Sequence, residues 1–322
     1  MNAVVIGAGA WGTTMAVHLS RKGHTVRLWA YQEEHAARMR AERENADFLP
    51  AVRFPDDLEV VSGGIGPCDF FVGAVPTQYW RSVLERIVPS LPEAPYVSLA
   101  KGIEIATGKL PTAVYHDVVG TSRPAAVLTG PCIAREVVRG LPTAVVLAGD
   151  KAAELQEAFN SPRFRVYTSP DRLGAELSAA LKNVLAIAAG IIDGMGLGDN
   201  AKAALLTRGT VEMARLGVAL GADRRTFSGL AGFGDLFTTC VSPHGRNRTL
   251  GERLGKGETL DEILASMNSV AEGVPTTRAV VKLASETGVE LPIASALHGI
   301  LFEGVEVEKA LGSLMTRDRR AE

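Results

Sequence analysis

The sequence is short of cysteine. Its 322 residues include only 3, Cys68, Cys132 and Cys240, far apart and odd in number. That argues against a disulfide framework and fits a reducing compartment. No Cys-x-x-Cys pair or Cys/His cluster has metal-ligand spacing, so no metal is expected. Neither sign of charge dominates: 34 basic and 36 acidic residues leave a formal net charge of −2. That balance favours neither nucleic acid nor an anionic membrane as a partner. The opening MNAVVIGAG lacks the basic n-region and the h-region of a secretory leader. The longest apolar run, LSAALKNVLAIAAGII at residues 177–192, is interrupted by Lys182 and followed by Asp193. It reads as too short and too polar for a membrane span, so a cytoplasmic protein is expected. There is no repeat or low-complexity tract, and the final TRDRRAE reads as a solvated end.

What is present is ordinary globular composition, 46% hydrophobic and 22% charged, at a length natural for two domains. Short β-rich runs at residues 3–6, 25–29, 69–75, 96–100, 126–129 and 144–148 alternate with helical patterns, among them 12–22, 33–44 and 78–87. Strands this continuously apolar are buried on both faces. Their βαβα order predicts a doubly wound, mostly parallel sheet that residues 164–168 would close. From Asp171 onward the periodicity is helical and strand signal almost vanishes. An α/β domain is expected over 1–170 and an all-helical domain over 171–322.

VVIGAGAWG places Gly7, Gly9 and Gly12 in GxGxxG spacing, after a strand and at the opening of a helix. In that context the motif predicts a Rossmann-type dinucleotide site. The first glycine permits the turn, the second lets a pyrophosphate approach, and the third lets helix pack on strand. The amides that begin the helix at Ala10 attract phosphate. Trp11 could wall the dinucleotide or only cap the fold. An acid about 20 residues on would mark a preference for NAD. Here TVRLW runs into Ala30, Tyr31 and Gln32, and Glu33 and Glu34 open the next helix. Both NADP and NAD fit, with NADPH favoured. Arg27 and Arg38 are candidates for a 2′-phosphate, although each also reads as a surface residue.

Lys182 and Asn183 interrupt an apolar helix. An apolar pocket disfavours the charged ammonium and brings its proton into range for general acid–base work on a carbonyl. The bland alternative is a lysine snorkelling from an interface. Lys101 ends a predicted strand, where ligands of parallel sheets bind. GPCIARE at 130–136 turns toward a helix N-terminus and carries Cys132, which has no nearby histidine to activate it and reads as a binding or packing residue. GFGDLFTTC puts Asp235 in a glycine-rich turn. SPHGRNRTLG brings His244, Gly245, Arg246, Asn247 and Arg248 into one segment, read as a basic loop whose arginine fork and amide suit phosphate.

These motifs, in order, resemble the bacterial type of NAD(P)-dependent glycerol-3-phosphate dehydrogenase: GAGAWG, FLP at 48–50, AKGIE at 100–104, GPCIARE, GLPTA at 140–144, LKNVLAIAAG at 181–190, the segment at 207–217, GLAGFGDLFTTC at 229–240, RN at 246–247 and AEG at 271–273. The resemblance covers nearly the whole chain. It implies reversible reduction of dihydroxyacetone phosphate to sn-glycerol 3-phosphate for phospholipid synthesis, with Lys182 as general acid/base assisted by Asn183 and Asp235. It implies substrate contacts from Lys101, Gly130, Cys132, Lys182, Asp235, Gly245, Arg246 and Asn247. It implies a cofactor lined by Gly7, Gly9, Ala10, Trp11, Gly12, Tyr31, Lys101, Ala134, Arg246, Val270 and Glu272, and a homodimer. Cys132 and Gly245 stand where the family usually has hydroxyl residues, and Ala30-Tyr31 where it usually has Gly-His. A 3-hydroxyacid dehydrogenase of the same plan and a non-catalytic NAD(P) sensor are the competing readings.

Overall fold

Successive residues of the first strand face opposite ways. In the computed structural model, which describes residues 1–267 and 270–317, Ala3 and Val5 enter one apolar cluster and Val4 and Ile6 another. A strand alternates its side chains between faces, so a run without polar positions must be covered on both. The strands are β1 (Asn2–Ile6), β2 (Thr25–Trp29), β3 (Glu44–Asn45), β4 (Leu49–Arg53), β5 (Leu58–Val61), β6 (Phe70–Gly73), β7 (Tyr96–Ser98), β8 (Ala125–Thr129), β9 (Thr143–Gly149) and β10 (Phe164–Ser169). The helices beside them are α1 (Ala10–Arg21), α2 (Glu33–Glu42), α3 (Thr77–Ile87), α4 (Pro111–Val119), α5 (Ala134–Val138) and α6 (Ala152–Phe159).

The main sheet has the order β10-β9-β8-β7-β6-β1-β2-β5. Every pairing in it is parallel except β8 with β9. Met15 of α1, Met39 of α2, Val137 of α5 and Leu155 of α6 cover one face, and Trp80 of α3 and Tyr115 of α4 cover the other. The edge strand β5 and the antiparallel pair β3–β4 were not expected from the sequence. The second helix stops at Glu42, short of the expected 44, because Arg43 turns left-handed at φ 53.

Two compact units result: Met1–Lys101 with Lys109–Glu176, and Gly102–Gly108 with Leu177 onward. The division thus falls inside a helix, later than the expected 170, and the excursion at Gly102–Gly108 was not expected. The second unit contains α7 from Leu177 on (the helix spans Arg172–Gly194), α8 (Gly198–Ala219), α9 (Asp235–Val241), α10 (Arg246–Gly255), α11 (Leu260–Ser266), α12 (Gly273–Thr287), α13 (Pro292–Phe302) and α14 (Val307–Met315). No strand occurs among its described residues.

Helix α7 corrects one expectation. It is 23 residues long and contains an 18-residue window of mean hydropathy 1.5, enough by length and composition to cross a membrane, yet 94% of that window is buried inside the protein. The apolar run is a core helix. It meets α10 backbone to backbone: a Cβ at Gly190 or Gly194 would overlap the carbonyl oxygens of Arg248 and Glu252, and one at Gly251 would overlap that of Ile187. Two carboxylates cap helices from within. Glu176 accepts from the amide of Thr112 at 3.0 Å, near the start of α4. Glu212 of α8 accepts from the amides of Ile293 at 2.8 Å and Ala294 at 3.4 Å, at the start of α13. Burial pushes each carboxyl up to about 7. The end of the TRDRRAE tail, residues 318–322, lies outside the described residues.

Candidate active site

The glycine turn joins β1 to α1. Gly7 has φ +110, open to glycine and strained for other residues, and a Cβ there would press on the Ala74 carbonyl at 2.8 Å. At Gly12 a Cβ would overlap the Gly7 carbonyl, so this glycine lets α1 close on the turn. Gly9 is different. A Cβ there would meet nothing within 4 Å, so no protein atom requires a glycine and the space lies open. The first amides of a helix lack internal partners. Here α1 begins at Ala10 with no side-chain cap and no acid in its first turn, which is the donor set a pyrophosphate fits. Trp11 packs its half-buried ring against the sheet core, and its enclosed indole N–H has no protein partner. Ala134 opens α5, and its carbonyl accepts from the Thr14 hydroxyl of α1 at 3.5 Å.

The end of β2 is occupied as the sequence reading had it, without a carboxylate on the strand end. Tyr31 is 55% exposed there. The two arginines considered for a 2′-phosphate are engaged elsewhere: Arg27 donates to the Pro67 carbonyl and Arg38 pairs with Asp47. Lys101, after β7, meets Gly130 and Cys132, after β8. Its ammonium lies 3.4 Å from the Gly130 carbonyl and 3.4 Å from the Cys132 sulfur. Gly130 has φ +132, and a Cβ there would lie 3.0 Å from Cα of Val145. The turn after β8 therefore sets the thiol beside the ammonium.

In the second unit, Lys182 of α7 is 5% exposed and Asp235 is 2% exposed. Their Nζ and Oδ1 atoms are 2.5 Å apart. The ammonium also donates to the Thr239 hydroxyl at 2.6 Å, and that hydroxyl donates in turn to the Asp235 carbonyl at 2.7 Å. Asp235 does not sit in a loose glycine turn. It begins α9, directly after a π-helical turn at Leu230–Gly234. Thr239 stands four residues further along the same helix, so both face Lys182. Sequence reading missed it, although the spacing in DLFTT was its signal. Asn183 is buried beside Lys182.

The basic segment is a helix from Arg246 on, with Gly245 as its N-cap, not a loop. Arg246 is exposed and donates to the Val270 carbonyl at 2.9 Å, which brings those two residues together. The Asn247 amide oxygen accepts from the Gly273 amide at 3.0 Å, which ties the start of α10 to that of α12. Glu272 is half-buried and forms the N-cap of α12. Gly245 offers only backbone. Arg248 is drawn away to Asp193 at 2.6 Å and to Glu252, and His244 is exposed.

Open helix amides beside a glycine turn in an α/β unit, and a buried lysine fixed by an aspartate and a threonine in a helical unit, suit one class of chemistry. That class is nicotinamide-dinucleotide-dependent oxidation and reduction. The chain belongs to the NAD-dependent glycerol-3-phosphate dehydrogenase family: the model of the family's N-terminal region matches residues 2–155 and that of its C-terminal region residues 171–312. The NAD(P)+-dependent glycerol-3-phosphate dehydrogenase of Chlorobium limicola is 48% identical over 332 residues, covering 100% of this chain and 99% of that protein. Its counterpart in Geobacter sp. (strain M21) is 46% identical over 330 residues, with 99% and 98% covered. The solved glycerol-3-phosphate dehydrogenase of Coxiella burnetii superposes with a TM-score of 0.93 at 37% identity, over 98% of this chain and 99% of that one.

Proposed function

We propose that the protein reversibly reduces dihydroxyacetone phosphate to sn-glycerol 3-phosphate, using NADPH or NADH, for glycerophospholipid synthesis. The observation that carries this reading is the buried Lys182–Asp235–Thr239 cluster. A reduced nicotinamide, when bound, supplies a hydride to the carbonyl carbon. Lys182 holds a proton on Nζ and passes it to the carbonyl oxygen, so that a C–H and an O–H bond replace the C=O π bond. The amine left behind regains a proton from solvent. Asp235 and Thr239 fix the nitrogen and balance its charge before transfer, which is the preorganisation such a step needs. The Arg246 guanidinium and the Asn247 amide suit the substrate phosphate. The Cys132 thiol is a weaker donor than a hydroxyl and Gly245 has no side chain, each costing about 1 kcal/mol of net binding. The protein acts as a homodimer in the cytoplasm.

The test is absorbance at the nicotinamide band with dihydroxyacetone phosphate, using NADPH and NADH in parallel. Lys182→Ala should lower turnover by about 10²–10⁴-fold while NADPH fluorescence titration still shows binding. Turnover within a few-fold of wild type would remove Lys182 from the acid/base role.

A further inference from the structure

Cofactor preference turns on what meets the 2′ position of the adenosine ribose, and the end of β2 is where dinucleotide folds make that choice. Four charged groups stand near it in the sequence, and the structure withdraws three. Glu33 is taken by Arg40 and the Ser62 hydroxyl. Arg27 is taken by the Pro67 carbonyl and Arg38 by Asp47. Glu34 lies exposed in the first turn of α2. A different cation arrives from a distant part of the first unit. Arg86, in the last turn of α3, sets its Cζ 4.5 Å from the centroid of the Tyr31 ring. The Tyr31 ring itself is seated edge-on against buried Trp29, at 6.1 Å and 77°. Arg86 is exposed and forms no ion pair with a carboxylate among the described residues.

We propose that Arg86, carried on the face of Tyr31, reads the 2′-phosphate and makes this enzyme prefer NADPH. A phosphate monoester brings a charge of about −1.5 to −2 and three acceptor oxygens. A guanidinium meets such a group with a planar fork of donors. The aromatic face restricts the arginine before the ligand arrives, which lowers the ordering cost of binding. Tyr31 is thus a positioning residue for Arg86. The inference rests on the dinucleotide reading of the turn at Gly7, Gly9 and Gly12.

Calorimetric titration of the full-length enzyme with ADP-ribose and with 2′-phospho-ADP-ribose, without substrate, tests both points separately. The wild type should bind the phosphorylated ligand at least about tenfold more tightly. Arg86→Ala and Arg86→Gln should each collapse that ratio toward one, and Arg86→Lys should keep part of it. Arg81→Ala, on the same helix but paired with Asp117 at 3.1 Å, should leave the ratio intact. The NADPH-to-NADH ratio of kcat/KM should fall in step with the Arg86 variants. A ratio near one in the wild type, or one unchanged in both Arg86→Ala and Arg86→Gln, would overturn the role of Arg86 alone. Failure of both ligands to bind would overturn the dinucleotide reading and this inference with it.

Discussion

At the scale of single residues the decisive feature is Lys182. An ammonium among Leu181, Val184 and Leu185 stands out in the sequence, and its burial was legible there. Its partner was not. Asp235 lies 53 positions away, and no local pattern joins the two. Burying one charge is costly and burying a matched pair much less so. Lys182→Met should therefore strand the Asp235 carboxylate and cost about 3–5 kcal/mol of stability. Adding Asp235→Leu removes the stranded charge and should recover most of that loss, while turnover stays absent in both variants. Urea unfolding midpoints together with the dihydroxyacetone phosphate assay check this. Equal stability in the single and double variants would mean that the two groups are not energetically coupled.

At the scale of elements, the strands with dense β-branched runs were readable to within a residue or two, because burial on both faces leaves no polar interruption. Direction was not readable. The antiparallel step between β8 and β9 depends on the short α5 (Ala134–Val138) connecting them, and a strand's own residues do not encode which way its neighbour runs. The segment Arg246–Gly255 read as a loop because Ser, Pro, His, Gly and Asn cluster at its start, while Gly251 and Gly255 lower its helix propensity. Those glycines answer to packing instead, since they let α10 lie on α7. Gly251→Ala must part the two backbones at Ile187. It should cost about 1–3 kcal/mol and reduce turnover by moving Arg246 and Asn247. Gly312→Ala, on α14 with nothing within 4 Å of its Cβ, should instead be neutral or stabilise by up to about 1 kcal/mol. Circular dichroism melts of the pair decide it, and equal melts would refute the close crossing. The cap of α13 sets a pH dependence of its own. Burial raises the Glu212 carboxyl from 4.5 to about 7 in the folded chain. Between those values the unfolded chain binds fewer protons, so stability falls as pH rises, with the loss complete above about 7. Glu212→Gln keeps an acceptor for Ile293 and cannot titrate. Relative to wild type it should gain up to about 3 kcal/mol between pH 5 and 8. Urea unfolding across that range would show a constant offset if the carboxyl did not titrate there.

At the scale of the whole molecule, the glycine turn and the buried lysine lie in different units. The dinucleotide features at Gly7, Gly9, Ala10 and Trp11 belong to the first, and the lysine–aspartate pair belongs to the second. Cofactor binding and proton transfer should therefore fail independently, and Gly9 separates them most cleanly. Its φ of −75 and ψ of 178 are open to any residue, and its Cβ would touch no protein atom. Folding places no demand for glycine there, whereas a ligand approaching the amides of α1 does. Gly9→Val should unfold within about 0.5 kcal/mol of wild type, as surface substitutions away from special features do. It should lose NADPH affinity by at least about a hundredfold, because branched carbon atoms would occupy the space a pyrophosphate needs. Lys182→Ala should show the reverse, with affinity kept and turnover lost. Fluorescence titration of NADPH and urea unfolding of Gly9→Val together decide the point. Retained affinity would show that the space above Gly9 is not where the dinucleotide lies, and lost stability would show that the glycine serves the fold.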